Sequence, residues 1–254
     1  MPELNQVSIF FLMFLRAAAF MMSGPLYVIR GIPPLLKVLF SLALTVVIFP
    51  VVEPKTPVPA GVWGYGLAVI SETGVGLLLG TAVTIILNSF RMAGQFIDFQ
   101  IGYGMSALLD PANGAQNTIL SQYLYLLAVL FFLLIDGHYS LIMGLAESYR
   151  FVPLNAADFN GSVSLILLKI FSGAFAIALQ VSAPVLAVLK ISDLTLGFLA
   201  RTAPQINVFL TGFPIKIAVG LLTLSFLIPL LGTALRAIFN TIERDLYSLM
   251  RALG

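Results

Sequence analysis

Hydrophobic residues run along this chain in long, unbroken stretches, parted by short clusters of Gly, Pro, Asn and charge. Continuous rather than alternating runs predict helices, because in lipid a helix satisfies its own backbone groups while barrel strands would alternate. Six spans are predicted: Val7 to Ile29, Leu35 to Val52, Val62 to Phe90, Ile119 to Ile135, Val163 to Leu189 and Ile217 to Leu235. Each approaches the roughly 20 residues that cross a hydrocarbon core of about 30 Å. Beyond them, Arg236 to Gly254 sets Ile238, Phe239, Ile242, Leu246, Leu249, Met250 and Leu253 against Arg236, Asn240, Arg244 and Arg251. That spacing predicts a C-terminal amphipathic helix, lying at the membrane interface or docked on a partner. The fold class is therefore an all-α integral membrane protein: about six long, partly broken helices, an irregular loop, and that last helix.

Composition excludes most other classes. With 59% hydrophobic and 9% charged residues, no soluble packing could hide the apolar surface. The longest polar connections, Glu53 to Gly61 and Tyr149 to Ser162, are too short for a soluble domain. A net charge of +2 with scattered basic residues gives no nucleic-acid footprint, and zero cysteines exclude disulfides and thiolate metal sites. Glu3 stands where a signal peptide would be basic, and Arg16 interrupts the first run, so that run is read as retained.

Charges inside the spans carry the next step. Arg16, Glu72 and Lys169 would each cost roughly 2.5–3.5 kcal/mol at a bilayer midplane, so they are expected to be sheltered by other proteins or by a hydrated passage. Lys169 is read as snorkelling to a helix end. After Glu72 come Gly74, Gly76 and Gly80, the last two at i+4 and i+8, a smooth face that predicts tight packing against partner helices. Arg16, Glu72, Asp98, Asp193, Arg201 and Lys216 are the candidates for buried charge pairs across helices, with the pairing left open. Counting cations in the loops between six spans puts Arg30, Lys37, Arg91, Lys190, Arg201 and Lys216 on one side and Lys55, Arg150, Arg236, Arg244 and Arg251 on the other. So even a split gives no orientation. An internal echo sets Arg91, Ala93, Gln95, Phe99 and Gly102 against Arg201, Ala203, Gln205, Phe209 and Gly212, with chance and a true repeat as rival readings.

From Gly102 the chain enters a stretch with Asp110-Pro111 and Asn113-Gly114, both turn signals, which predict irregular backbone over about Asp110 to Asn117. Apolar flanks favour a loop folded into a channel over a surface turn. Catalysis finds little support. His138 is the only histidine, read as a capped or hydrogen-bonded residue at a helix end, and no second soft ligand accompanies it. Asp98 and Asp110 lack the surrounding motif of an intramembrane protease, and no phosphate-binding loop occurs. Neither metal nor cofactor is expected.

Several segments, in order and spacing, are similar to one family: Arg30-Gly-Ile-Pro-Pro with Lys37, Glu72-Thr-Gly-Val-Gly-Leu, Gly94-Gln-Phe-Ile-Asp-Phe-Gln-Ile-Gly, Asp110-Pro, Asp136-Gly-His, and the long stretch from Ala203 to Lys216. Over its whole length the chain resembles the FliR family of flagellar type III protein export. The resemblance implies a non-enzymatic export-gate subunit in the bacterial inner membrane, at the flagellar basal body. Its implied partners are FliP-like and FliQ-like subunits, FlhB-like and FlhA-like proteins, unfolded export substrates and membrane lipid. It implies a FliP-like portion at 1–160 and a FliQ-like portion at 161–254, the latter marked by Pro204, Gln205, Asn207, Phe209, Gly212, Pro214 and Lys216. The family's plug loop maps onto roughly Ser106 to Gln122, with Met105, Ser106, Ala107, Leu108, Leu109, Asp110, Pro111, Ala112, Asn113 and Gly114 as its pore residues. Members pack raised out of the ordinary bilayer plane, which would account for the even charge count. A virulence injectisome gate is the nearest competing assignment, and a secondary transporter of a small solute the competitor from another class.

Overall fold

In a computed structural model, the chain is described over residues 2–25, 33–52, 59, 61–102, 118–205 and 207–254. Among them are seven α-helices and no strand: α1 (Pro2–Ser23), α2 (Pro34–Ile48), which runs into a single 3-10 turn at Phe49–Val51, α3 (Val62–Ile101), α4 (Ile119–Leu134), α5 (Gly137–Phe151), α6 (Gly161–Thr202) and α7 (Val208–Leu253). Five helices are long and apolar enough to span a membrane. The bent pair α4 and α5, meeting at 72°, makes a sixth span if counted together. This is the all-α membrane architecture that the apolar runs predict.

Local chemistry explains the ends. Pro34 opens α2, where its missing N–H costs nothing, behind an extended Pro33. Asp136 adopts a left-handed φ of 58° between α4 and α5, which breaks the helix there. The α5 segment was not among the expected helices, because Gly137, Gly144, Glu147 and Arg150 thin out its apolar pattern. Within the helices, hydroxyls turn back to the carbonyl four residues earlier, as at Thr73, Thr195 and Thr223, so they need neither water nor a partner in lipid.

The helices also run longer than the apolar runs suggest. The expected span Val163 to Leu189 continues past Pro184 to Thr202. The span Ile217 to Leu235 and the amphipathic segment Arg236 to Gly254 form one helix of 46 residues. Cations assigned to loops, Arg91, Lys190, Arg201 and Lys216 among them, therefore sit on helices, and that is why counting them by loop gives no orientation. Nor do the two halves of the internal echo share a structure. Arg91 to Phe99 lies wholly in α3, whereas Arg201 to Gly212 covers the end of α6, a turn at Pro204 and Gln205, and the start of α7.

Packing groups the residues into two compact units. The first holds Met1–Ile86, Leu133–Ser172 and Phe239–Gly254. Its core includes Leu12, Met13 and Phe20 of α1, Leu79 and Val83 of α3, Leu145 of α5, and Leu249, Met250 and Leu253 of α7. The amphipathic face at the C-terminal end of α7 is thus spent inside the chain, not at the membrane interface or on a partner. There the backbone N–H of Asp158 donates to the carbonyl of Leu253 at 2.8 Å. Phe151 meets Tyr247 edge to face at 5.9 Å, and the hydrogen bond to the Glu147 carboxylate pushes the Tyr247 phenol above its usual pKa. The second unit holds Leu87–Phe132 and Gly173–Ile238, with Phe90, Ile97, Ile101, Leu124 and Leu189 in its core.

Candidate functional site

In the first unit, α1 crosses α3 where small residues permit it. A Cβ on Gly76 would run into the carbonyl of Arg16 and the side chain of Ala19, and one on Gly80 into Ser23 and the carbonyl of Phe20. The smooth face expected to meet partner helices therefore meets α1 of the same chain, while Gly74 faces the ring of Phe159. Close approach at the glycines brings Arg16 and Glu72 together, both with side chains fully buried.

Arg16 Nε donates to Glu72 Oε2 at 2.7 Å, and Nη1 donates to the carbonyls of Ser148 at 3.1 Å and Val152 at 2.9 Å. Glu72 Oε1 accepts the backbone N–H of Asn155 at 2.8 Å. Asn155 presents that N–H from a left-handed φ of 60°, a conformation that Asn tolerates better than most residues. The guanidinium carbon lies 4.6 Å from the centroid of the Tyr149 ring, whose hydroxyl donates to the carbonyl of Met13 at 2.8 Å. So the expectation that other proteins or water shelter these two charges is corrected. The chain shelters them itself, with both charges paired and several remaining hydrogen-bonding positions filled by backbone.

The second unit carries two further arrangements. Asp98, fully buried in α3, accepts the backbone N–H groups of Leu120 and Ser121 on Oδ2, each at 3.0 Å. It serves as an N-cap for α4 from outside that helix. A Cβ on Gly94 would overlap the Ser121 backbone, so only glycine allows this approach. Arg91 stacks over the Tyr125 ring at 4.0 Å. Elsewhere, Lys216 of α7 pairs with Asp193 of α6, and Gln100 Nε2 donates to the other oxygen of Asp193 at 2.6 Å. That pair keeps 22% and 31% of its side-chain surface exposed, on spans otherwise apolar.

The structure thus assigns Arg16 to Glu72 and Asp193 to Lys216, and leaves Arg201 exposed without an ion pair among the described residues. Of the FliQ-like stretch, Pro204, Gln205, Asn207 and Pro214 are exposed around the α6–α7 turn, Gly212 faces Leu196, and the side chain of Phe209 lies outside the description. The expected plug residues, Met105 to Gly114, and Arg30 lie outside the described residues. Sequence reasoning missed Ser148, Val152, Asn155 and Gln100. Three of these act through backbone groups, and of them only Asn155, next to a proline-containing turn, carried a signal. His138 lies in the first turn of α5, at a helix end; its Nδ1 is buried without a partner among the described residues, beside a mostly apolar cavity of about 220 Å³ bordered by Phe20, Phe40 and Leu141. Among the described residues no three His, Cys, Asp or Glu gather to hold a metal.

These arrangements position helices and contain no nucleophile and base in contact. Comparison with known proteins adds identity of another kind. The profile of the family described as bacterial export proteins, family 1, matches residues 7–242. The chain is 34% identical to the flagellar biosynthetic protein FliR of Bacillus subtilis (strain 168) over 248 residues, covering 96% of this chain and 95% of that protein. It is 31% identical to FliR of Pectobacterium carotovorum subsp. carotovorum, covering 94% and 91%, and 28% identical to FliR of Escherichia coli (strain K12), again covering 94% and 91%.

Proposed function

Because the chain belongs to the FliR family of bacterial export proteins and is a membrane-embedded component of the flagellar export apparatus, we propose that it forms wall and seal of the export gate. In this reading it is a non-enzymatic subunit of the inner membrane, at the basal body, assembled with FliP-like and FliQ-like chains and close to FlhB-like and FlhA-like proteins. Unfolded flagellar subunits pass through the assembly. Residues 1–160 supply the FliP-like portion and 161–254 the FliQ-like portion, and the plug segment of roughly Ser106 to Gln122 closes the resting passage.

One observation carries the reading. At 42 and 46 residues, α6 and α7 are about 63 and 69 Å long at 1.5 Å per residue, roughly twice the hydrocarbon core. Yet only 22% of the spanning window of α6 and 17% of that of α7 is buried within the chain. Lipid can cover about half of such a helix. Exposed large apolar side chains run along α6 from Leu165 to Phe198, about 50 Å at 1.5 Å per residue, further than a core of about 30 Å reaches, which supports other protein as the remaining cover, and the partly exposed Asp193–Lys216 pair needs the same cover or contact with water.

The test is to isolate the tagged chain from native membranes and identify what accompanies it. FliP-like and FliQ-like chains are expected in defined proportion; a monodisperse lone chain that takes up a small solute refutes the reading. Deleting Leu108 to Asn113 is expected to leave assembly intact while the membrane leaks small ions. Unchanged permeability removes the seal assignment. The relatives named above support a flagellar role over an injectisome one.

A further inference from the structure

Arg91 is the only basic residue of α3, and neither carboxylate of that helix answers it. Glu72 is taken by Arg16, and Asp98, two turns beyond Arg91, accepts the N–H groups of Leu120 and Ser121. No ion pair reaches the Arg91 guanidinium among the described residues, and its Nε is buried there without a hydrogen-bond partner. The cation is therefore unmatched within the described chain.

Its guanidinium is nevertheless held in place. The guanidinium carbon lies 4.0 Å from the centroid of the Tyr125 ring, a buried ring of α4, and α4 is fixed to α3 by the Asp98 cap and the close approach at Gly94. Stacking on a ring uses the flat face of a guanidinium and leaves the N–H donors at its edge unspent. A cation that only reached for water or a phosphate headgroup would extend towards the membrane boundary, whereas this one is folded across to the next helix and kept half-buried. A fixed, planar, unspent fork is matched by a carboxylate that is equally fixed. The helix that holds it has a second unpartnered feature: Tyr123, Leu126 and Leu130 of α4 stand at i, i+3 and i+7 and are all exposed, the spacing by which one helix docks against another.

We propose that Arg91 pairs with an Asp or Glu on a helix of a neighbouring subunit, whose apolar face lies along the exposed stripe of α4. This inference rests on the reading of the chain as one subunit of a multi-subunit gate, and it adds the place and the chemistry of a contact. Tyr125 is the positioning residue, and the incoming carboxylate neutralises a cation that a spanning helix otherwise carries unmatched.

The tagged chain is isolated from native membranes as wild type and as R91E, and each accompanying subunit is quantified per tagged chain, together with retained phospholipid. R91E is expected to lower the recovery of one subunit about tenfold or more, the scale on which a desolvated charge pair counts at an interface. Each Asp and Glu in the helices of that subunit is then changed to Lys against R91E, and one such change is expected to restore most of the recovery. Rescue by none of them overturns the inference, because a merely misfolded R91E or a lost packing contact would not be repaired by a charge on another chain. Subunit recovery equal to wild type in R91E also overturns it; if anionic phospholipid is lost at the same time, the acceptor is a phosphate and not a carboxylate. Wild type that comes away alone removes the multi-subunit reading, whereas wild type and R91E that assemble equally well remove only the docking role of Arg91. Should R91E not accumulate, R91M replaces it against Asp→Asn and Glu→Gln changes in the subunits that accompany wild type. Leaving neither charge unpaired is expected to restore recovery, and failure of every such change overturns the inference.

Discussion

Exchanging the charges of the Arg16–Glu72 pair, as R16E with E72R, is expected not to restore what either single change destroys. For an isolated ion pair the swap would succeed, since Coulomb attraction has no direction. This pair is embedded in groups that do. The carbonyls of Ser148 and Val152 face position 16, and the N–H of Asn155 faces position 72. After the swap a carboxylate meets two carbonyl oxygens and a guanidinium meets a donor, so three hydrogen bonds to charged groups are lost. At roughly 1.5–3 kcal/mol apiece, their loss comes to on the order of 5–9 kcal/mol. Breaking the pair by one substitution costs about 3–5 kcal/mol, so the double variant gains nothing over the singles. The assay is the amount of tagged chain remaining in membranes after synthesis is stopped, read beside swimming of cells that lack their own copy. Survival of R16E/E72R clearly above both singles would refute the argument and reduce the cluster to a plain ion pair.

The opposite is expected for D193K with K216D. Among the described residues the other group bonded to Asp193 is Gln100, whose amide turns over to present oxygen in place of nitrogen, so the swap is expected to recover most of the wild-type level, measured by the same blot. Gly76→Ala is expected to destabilise the chain, because its Cβ would overlap backbone of α1 that cannot move aside. Gly197→Ala points into open space on an α6 that it would strengthen by up to about 1 kcal/mol. If G197A leaves the isolated chain intact but reduces recovery of the assembled complex, the α6 face around it is covered by another subunit; thermal melts and gel filtration distinguish the two.

Hydrophobic runs revealed the helices because lipid permits little else, and Arg16 and Glu72 stood out because charge is rare at membrane depth. What sheltered those charges could not be read, because Ser148, Val152 and Asn155 contribute backbone atoms that every residue owns. The glycines after Glu72 were legible as a close-packing face, yet nothing in Gly76 or Gly80 says whether the approaching helix belongs to the same chain. Helix ends were misjudged for a related reason. The apolar runs stop at Leu189 and Leu235, where Lys190 and Arg236 follow, but a charge ends an apolar run without ending a helix, and both helices continue. Asp98 was noticed as a charge, whereas its work depends on α4 lying against Gly94, a tertiary fact.

Synthesis gives the Arg16 network a timetable. Arg16 emerges 56 residues before its counter-ion and 132 before Ser148. At roughly 5–20 residues per second, the guanidinium waits about 3–11 s for a carboxylate alone. A nascent first helix with an unmatched cation has reason to linger at the insertion machinery or the bilayer edge until Asn155 has been made. Final docking of that helix therefore doubles as a check that more than half of the polypeptide has arrived.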